Sequence, residues 1–318
     1  RQCETAPDDI AEDCPAFQLP AAIAGEIARA VTIELKVELS GSARADYLKA
    51  QLAPVLAKLR EKVEAGCAKG GLMLKPYVDG KTLTVDFVQA DCFYPVAFDA
   101  SGHMTACVFA DQRQVGTDYF TRLEYHGMTA TGYLIRNQAF RSTSPNSLGT
   151  AVTLEAVDAW KDLEPEAIIT GIPKPLFAYF RYPLANNIDP TSPLGISCYA
   201  RAVDLIQDAD KLYQNLVWEF ESGKRAIFVD VLAFGKDSNG NPKLPDKRLY
   251  RAIETAGSNI GEANKLFEGW SPEFRDASIK SGLDAILKRI EFACGLAYGT
   301  LSDPATVDKT ATEMKISQ

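Results

Sequence analysis

Between residues 199 and 223 the sequence YARAVDLIQDADKLYQNLVWEFESG carries apolar side chains at Ala202, Leu205/Ile206, Ala209, Leu212/Tyr213, Leu216 and Phe220, in steps of three and four. This is the period of one helix face. From 197 to 222 the run predicts a single helix of roughly 40 Å at ~1.5 Å per residue. A helix of that length either crosses a core or forms the wall of something built from several chains. A second long helix is announced by Ser271 as N-cap, Pro272 at the first helical position and Glu273 in the first turn. Its stripe runs Ile279, Leu283, Ile286, Ile290, Ala293, Ala297. The two helices flank a compact insert, 225–270, which predicts an antiparallel pair with a small module at its tip, Leu205, Leu212 and Leu216 facing the stripe from Ile279 to Ile290. Within the insert, AIFVDVLAF is rich in β-branched and aromatic residues and reads as a strand.

The first half of the chain has a different grain. Residues 1–15 are acidic and contain proline, and read as loop. From Pro20 the spacing is helical and is expected to continue through about Leu35, although VTIELKVEL also alternates as a strand would. Ser42 is placed to cap a second helix with Leu48, Leu52, Val55/Leu56, Leu59 and Val63 on one face, kinked or split by Pro54 and stopped by Gly66 and Gly70-Gly71. The period then changes to two. GLMLKPYV and KTLTVDFV flank Asp79-Gly80, a type I′ hairpin signal. DCFYPVAF and HMTACVFA flank a turn at 99–102, and DYFTRLEYH and MTATGYLIRNQAF flank Gly127, with His126 as a turn residue. Helices followed by an antiparallel meander of about six or seven strands predict an α+β fold, not a βαβ order. A proline-rich link, 171–195, leads to the first long helix.

The chain has 318 residues, 46% hydrophobic, and a formal charge of −8. An acidic chain whose basic residues cluster only as pairs (Lys224-Arg225, Lys247-Arg248, Lys288-Arg289) argues against strong phosphate-driven grip on nucleic acid. Seven cysteines, scattered and never spaced as CxxC, favour thiols over a disulfide framework. No stretch approaches the ~20 apolar residues of a membrane span, and nothing resembles a signal peptide. The chain begins at Arg1 and stops inside a helical pattern, KTATEMKISQ, as an excised fragment would.

Candidate chemistry is sparse. The two histidines, His103 and His126, lack companion ligands at metal spacing, and His103 with Cys107 on a strand shares no metal geometry. The start of DSNGN resembles a calcium loop, but Pro242 stands where glycine is needed and Arg248 where glutamate is needed, so the stretch reads as a tight turn. Phosphate-loop, dinucleotide, zinc-protease and nucleophile-elbow motifs are all missing. The expectation is therefore a protein that is not an enzyme, with no catalytic residues, cofactor or metal. The aromatic residues Tyr213, Trp218 and Phe220, and Phe228, Phe234, Phe267 and Trp270 in the insert, read as packing more readily than as a binding stripe.

The order of parts itself carries a resemblance. AKGGLMLKPYVDGKTLTVDFVQADCFYPVAFD resembles the wing segment of portal (head–tail connector) proteins of tailed bacteriophages. ANNIDPTSPLGISCYARAVDLIQDADKLYQNLVWEFESGK is similar to the lead-in to their first stem helix, and SPEFRDASIKSGLDAILKRIEFACGLAYGTLSDPATVDKTATEM to the second stem helix, the loop after it and the start of the next helix. The similarity runs from about Pro20 to the end and rests on long matches in the right order, not on a short chemical signature.

The resemblance implies an α+β wing over 1–191, a first stem helix over 192–224, a small α/β clip over 225–270, a second stem helix over 271–298, and a tunnel loop with the start of a further helix over 299–318. Stem packing would fall to Leu205, Leu212, Leu216, Phe220, Leu283, Ile286 and Ile290, and motor contact through the clip to Phe228, Asp230, Leu232, Phe234, Lys247 and Arg248. Leu301, Ser302, Asp303, Val307, Asp308 and Lys309 would lie in the tunnel loop near DNA, though their mixed charge assigns the contact to no single residue. The implied function is that of a structural subunit in a ring, a dodecamer in the family's usual form, at the capsid vertex of a virion. Its partners would be the terminase large subunit, head–tail adaptor, capsid and scaffolding proteins, and double-stranded DNA passing through without sequence-specific binding. The family's crown is missing, so this chain alone is expected to be monomeric or weakly associated. Two other readings stay open: a capsid-associated adaptor without a channel, and an enzyme with a polar cluster around His103, His126 or nearby carboxylates in one pocket.

Overall fold

The computed structural model describes residues 16–304 apart from Lys81, 224–225, 231–239, 241–249, 254–266 and 271–272. The chain divides into two compact units, one over Gln18–Ala202 and one over Val203–Ser317 together with Arg1–Phe17. Helices precede or flank sheets whose pairings are antiparallel except for one, and the fold is α+β.

The first unit opens with α1 (Leu19–Thr32), which buries Leu19, Ile23, Ala24 and Ala28. It stops at Thr32, three residues before the point the spacing suggested. Val31, Thr32 and Ile33 form a β-branched run, and such residues lose side-chain freedom against the preceding turn. Residues 35–40 are neither helix nor strand, and Val31, Ile33, Leu35 and Val37 stay exposed. Next, Ser42 caps α2 (Ala43–Ala57), its Oγ accepting from the Ala45 amide at 3.2 Å. The helix does split, at Lys58 and not at Pro54 itself, before α3 (Leu59–Lys69). Gly66 does not end α3. It lies buried inside it, where a Cβ would sit 3.0 Å from the Phe180 ring and 3.2 Å from Leu72 Cβ. The stop is Gly70, at φ 81°, whose backbone meets that of Gly195 and Ile196 so closely that any side chain would collide.

Nine strands follow: β1 (Gly71–Asp79), β2 (Thr82–Gln89), β3 (Phe93–Phe98), β4 (Met104–Val115), β5 (Asp118–Thr129), β6 (Gly132–Ser142), β7 (Thr150–Val152), β8 (Glu166–Ile169) and β9 (Ala178–Arg181). The expected single meander is in fact two antiparallel sheets. One has the order β2-β1-β9; the other runs β3-β4-β5-β6-β7, with β8 also on β6. Asp79 pairs with Thr82, so the first hairpin turns one residue later than Asp79-Gly80, starting at Gly80 with φ 60°.

The third hairpin turns not at Gly127 but between Thr129 and Gly132, which pair across it. His126 and Gly127 are interior, buried positions of β5. Nor is 171–195 a free link. Phe177 enters the core, 178–181 form β9 against β1, and Cys198 N donates to Cys67 O at 2.9 Å. The core gathers Met73, Phe93, Met104, Cys107, Phe109, Tyr133 and Phe177 from both sheets, with a second cluster of Phe120, Ala139, Leu154, Val157 and Trp160.

In the second unit α4 (Val203–Ser222) begins at Val203, because Ala200–Ala202 before it form a 3-10 turn. Phe17 belongs here: its amide donates to Asp210 Oδ1 at 2.9 Å and its ring stacks on Tyr213 with centroids 4.9 Å apart. Strand β10 (Ala226–Asp230) is the start of AIFVDVLAF and pairs parallel with β11 (Tyr250–Ile253) and antiparallel with β12 (Phe267–Trp270). Helix α5 (Asp276–Cys294) starts later than the sequence signal, since Glu273–Arg275 are not helical. Ser271 and Pro272, and the turn at 237–241 save Gly240, lie outside the described residues.

Candidate functional site

Two places gather polar chemistry: the α4–α5 pair with the loop after it, and a cleft in the sheet unit. Along α4 the positions that sink are Ile206, Ala209 and Glu219; along α5 they are Leu283, Leu287, Ile290, Glu291 and Cys294. Near the end of α4 the Glu219 carboxylate receives the Arg275 amide at 3.0 Å, Nε at 3.2 Å and Nη2 at 2.8 Å. The Arg275 side-chain hydrogen bonds hold its carboxyl below the usual range. Phe220 lies 5.5 Å from Phe274. Earlier on α4, Leu212 approaches Gly282 on α5, so the helices run antiparallel, as the two stripes predicted.

Of the expected stem residues, Leu283 and Ile290 are buried, Leu205, Leu212, Leu216 and Ile286 are half-buried, and Phe220 is exposed. The sequence stripe missed Leu287 and Cys294, which occupy the neighbouring row of α5 one step of four from Leu283 and Ile290. An open hollow of about 460 Å³ between the helices is lined by Leu212, Trp218, Ile279 and Gly282 among others.

Gly295, at φ 72°, ends α5 and turns the chain back along it. Glu291, with no exposed surface, then takes four hydrogen bonds: from Leu301 N at 2.6 Å, Ser302 N at 2.9 Å, Ser302 Oγ at 2.9 Å and Gly299 N at 3.3 Å. One turn and more earlier, Asp284 accepts from the Asp303 amide at 2.9 Å and pairs with Lys288 at 2.6 Å. Burial alone would raise the Glu291 carboxyl; the amides of Ser302 and Leu301 and the Ser302 hydroxyl outweigh it, and the group is held low. Leu301 is thus half-buried, Ser302 buried and Asp303 exposed. Val307, Asp308 and Lys309 lie outside the described residues, as do Leu232, Phe234, Lys247 and Arg248; Phe228 and Asp230 fall on β10.

In the sheet unit, alternation along β5 sends Arg122, Glu124 and His126 to one face. Glu124 Oε2 meets Lys75 Nζ of β1 at 3.0 Å and Arg122 Nη2 at 3.1 Å, and Oε1 meets His126 Nε2 at 2.7 Å. Burial pushes this carboxyl up, but the His126 hydrogen bond and the charges of Lys75 and Arg122 bring it down to about 2. His126 Nδ1 lies 2.8 Å from the Tyr133 hydroxyl, so the tautomer protonated at Nε2 satisfies both ring nitrogens. His126 is therefore a satisfied core histidine.

His103, just before β4, is exposed beside Asp99. The polar cluster that an enzyme reading required does exist around His126, but both its imidazole nitrogens and both Glu124 oxygens are engaged. Cys67, Cys107 and Cys294 are buried thiols pushed up to about 11, 12 and 11 by desolvation, out of the range of a nucleophile at neutral pH. Among the described residues no group of His, Cys, Asp and Glu is placed to hold a metal ion, and no helix is long and apolar enough to cross a membrane.

No protein-family model matches the chain, and no curated protein matches it.

Proposed function

We propose that this chain is a structural subunit of a viral portal ring, in which α4 and α5 are stem helices and copies stand side by side around a channel for double-stranded DNA. The observation that carries the reading is the α4–α5 pair itself. It buries one stripe per helix and leaves Trp218, Phe220 and Phe292 exposed, with Phe292 at 77%, while Phe274 and Tyr298 are exposed just beyond the two ends of α5. An amphipathic helix hides one face; large apolar side chains left on the other faces fit contact with neighbouring copies.

The net charge of −8 fits a wall along which a polyanion slides without sticking. On this reading the three-stranded module β10-β11-β12 is the clip that meets the terminase motor and later a head–tail adaptor, and the first unit is the wing, in contact with capsid and scaffolding proteins at the vertex of the virion. The loop held by Glu291 is the start of the tunnel loop. No catalysis is assigned to the chain.

Electron microscopy of the product of the whole gene tests the reading. Closed rings with a central channel are expected; a species that never exceeds a dimer at high micromolar concentration would overturn it.

A further inference from the structure

The cleft in the sheet unit has a volume of about 230 Å³ and is lined by Lys75, Asp86, Phe109, Asp111, Arg113, Arg122 and Glu124, with Val88 and Ala110. Its formal charges cancel, three cations against three carboxylates, but its hydrogen-bonding capacity does not. Both Glu124 oxygens are taken by Lys75, Arg122 and His126. Asp111 Oδ2 accepts from Trp160 Nε1 at 3.0 Å and Arg113 Nε at 3.2 Å.

What remains is mostly donor. Arg122 gives one Nη to Asn137 at 3.1 Å and the other to Glu124, while its Nε–H is buried and meets no acceptor. Arg113 uses only Nε, so its two Nη groups stand available at the rim, with the guanidinium 6.0 Å from the Trp160 ring. A buried donor without an acceptor is destabilising, and guanidinium forks match the paired oxygens of carboxylate and phosphate.

We propose that this cleft is a binding site for a small oxyanion, a phosphate or a carboxylate group, gripped by the free Nη groups of Arg113 beside Trp160, with the positive charge of Arg122 behind it. Asp86, Asp111 and Glu124 oppose it; Glu124 is held by Lys75, Arg122 and His126 and Asp111 by Trp160 and Arg113, which leaves Asp86, half-exposed at the rim and 3.9 Å from Lys75, as the carboxylate with the loosest pairing. The proposal is independent of the ring reading, since every residue in it belongs to the first unit.

The test is a titration of the full chain, followed by NMR at the Trp160 indole N–H, with inorganic phosphate and separately with succinate, at constant ionic strength. The resonance is assigned by its loss in Trp160→Phe. A saturating shift is expected with at least one probe: phosphate alone assigns a phosphate site, succinate alone a carboxylate site, and both a shared oxyanion geometry. Arg113→Ala is expected to weaken binding about ten-fold, the loss of roughly one charged hydrogen bond, with an unchanged circular dichroism spectrum because the side chain is 48% exposed. Asp86→Asn is expected to tighten binding by removing a like charge. A shift that never saturates with either probe, an Arg113→Ala affinity equal to wild type, or weaker binding by Asp86→Asn would overturn the proposal.

Discussion

Glu124 and Glu291 are both carboxylates withdrawn from water, and the two units solve the problem in opposite ways. In the sheet unit Glu124 is neutralised by other side chains, Lys75 and Arg122, drawn from separate strands and themselves 12% and 13% exposed. In the helix pair Glu291 has no ion-pair partner within 4.0 Å among the described residues. Three backbone amides and one hydroxyl satisfy it, all from 299–302. A charge held by charges stands or falls with the ionisation and packing of distant partners. A charge held by amides depends only on the local loop, and it in turn fixes that loop.

The largest test of the contrast is Glu124→Ala. It removes the carboxylate nearest to both Lys75 and Arg122, leaving Lys75 with Asp86 at 3.9 Å and Arg122 with Asn137 at 3.1 Å, and loss of one partner in a buried pair costs about 3–5 kcal/mol; urea unfolding of the first unit should register this, whereas a cost below about 1 kcal/mol would mean the network is dispensable. Acid acts on the same residue. A carboxyl lowered from 4.5 to about 2 contributes stability that is complete above pH 4.5 and lost as pH falls toward 2. At 1.36 kcal/mol per unit that is about 3 kcal/mol. Glu291 is also lowered, so its contribution has the same sign and starts to fade below the same pH. A stability curve flat from pH 5 to pH 2 would contradict both.

Next in size, Glu291→Gln keeps one oxygen acceptor but loses the charge and one acceptor position, an expected cost of about 2 kcal/mol. Its distinguishing readout is local: hydrogen exchange should accelerate at Leu301 and Ser302 while β5 is untouched. Equal acceleration in both units would erase the distinction. The smallest effect belongs to Asp284→Asn, which keeps an acceptor for the Asp303 amide but removes the charge that pairs with Lys288; only the Asp303 amide should exchange faster, by a few-fold.

The same contrast explains what the sequence disclosed. The helix pair was legible because its determinants are local. Stripes in steps of three and four, joined by a compact insert, predict neighbours without knowledge of any register. The cleft was not legible. Lys75, Asp111, Glu124 and Trp160 come together only through the pairing of β4 with β5 and the approach of β1, and period-two alternation says which residues share a face but not which strands meet.

Gly127 misled for a related reason. The stretch from Gly127 to Gly132 offers two turn signals, and the chain uses the second because Tyr125, two residues back on the same face of β5, lays its ring over Gly127 and needs that position bare. The buried role of Glu291 was hidden as well, since a glutamate on a helix gives no sign that the chain will double back to meet it.

The contact of β1 with β9, and of Gly70 with Gly195, has a consequence for how the protein is made. It closes a loop of roughly a hundred residues, so it forms late compared with the hairpins β3-β4 and β5-β6. A ribosome adding about 5–20 residues per second leaves one edge of β1 without its strand partner for on the order of 5–20 s. During that interval Leu72 and Met73, both sealed in the finished fold, face solvent or whatever chaperone attends the nascent chain. Any substitution that slows the docking of 178–181, such as a side chain at Gly195, should therefore lower the yield of soluble protein before it changes the stability of the molecules that do fold.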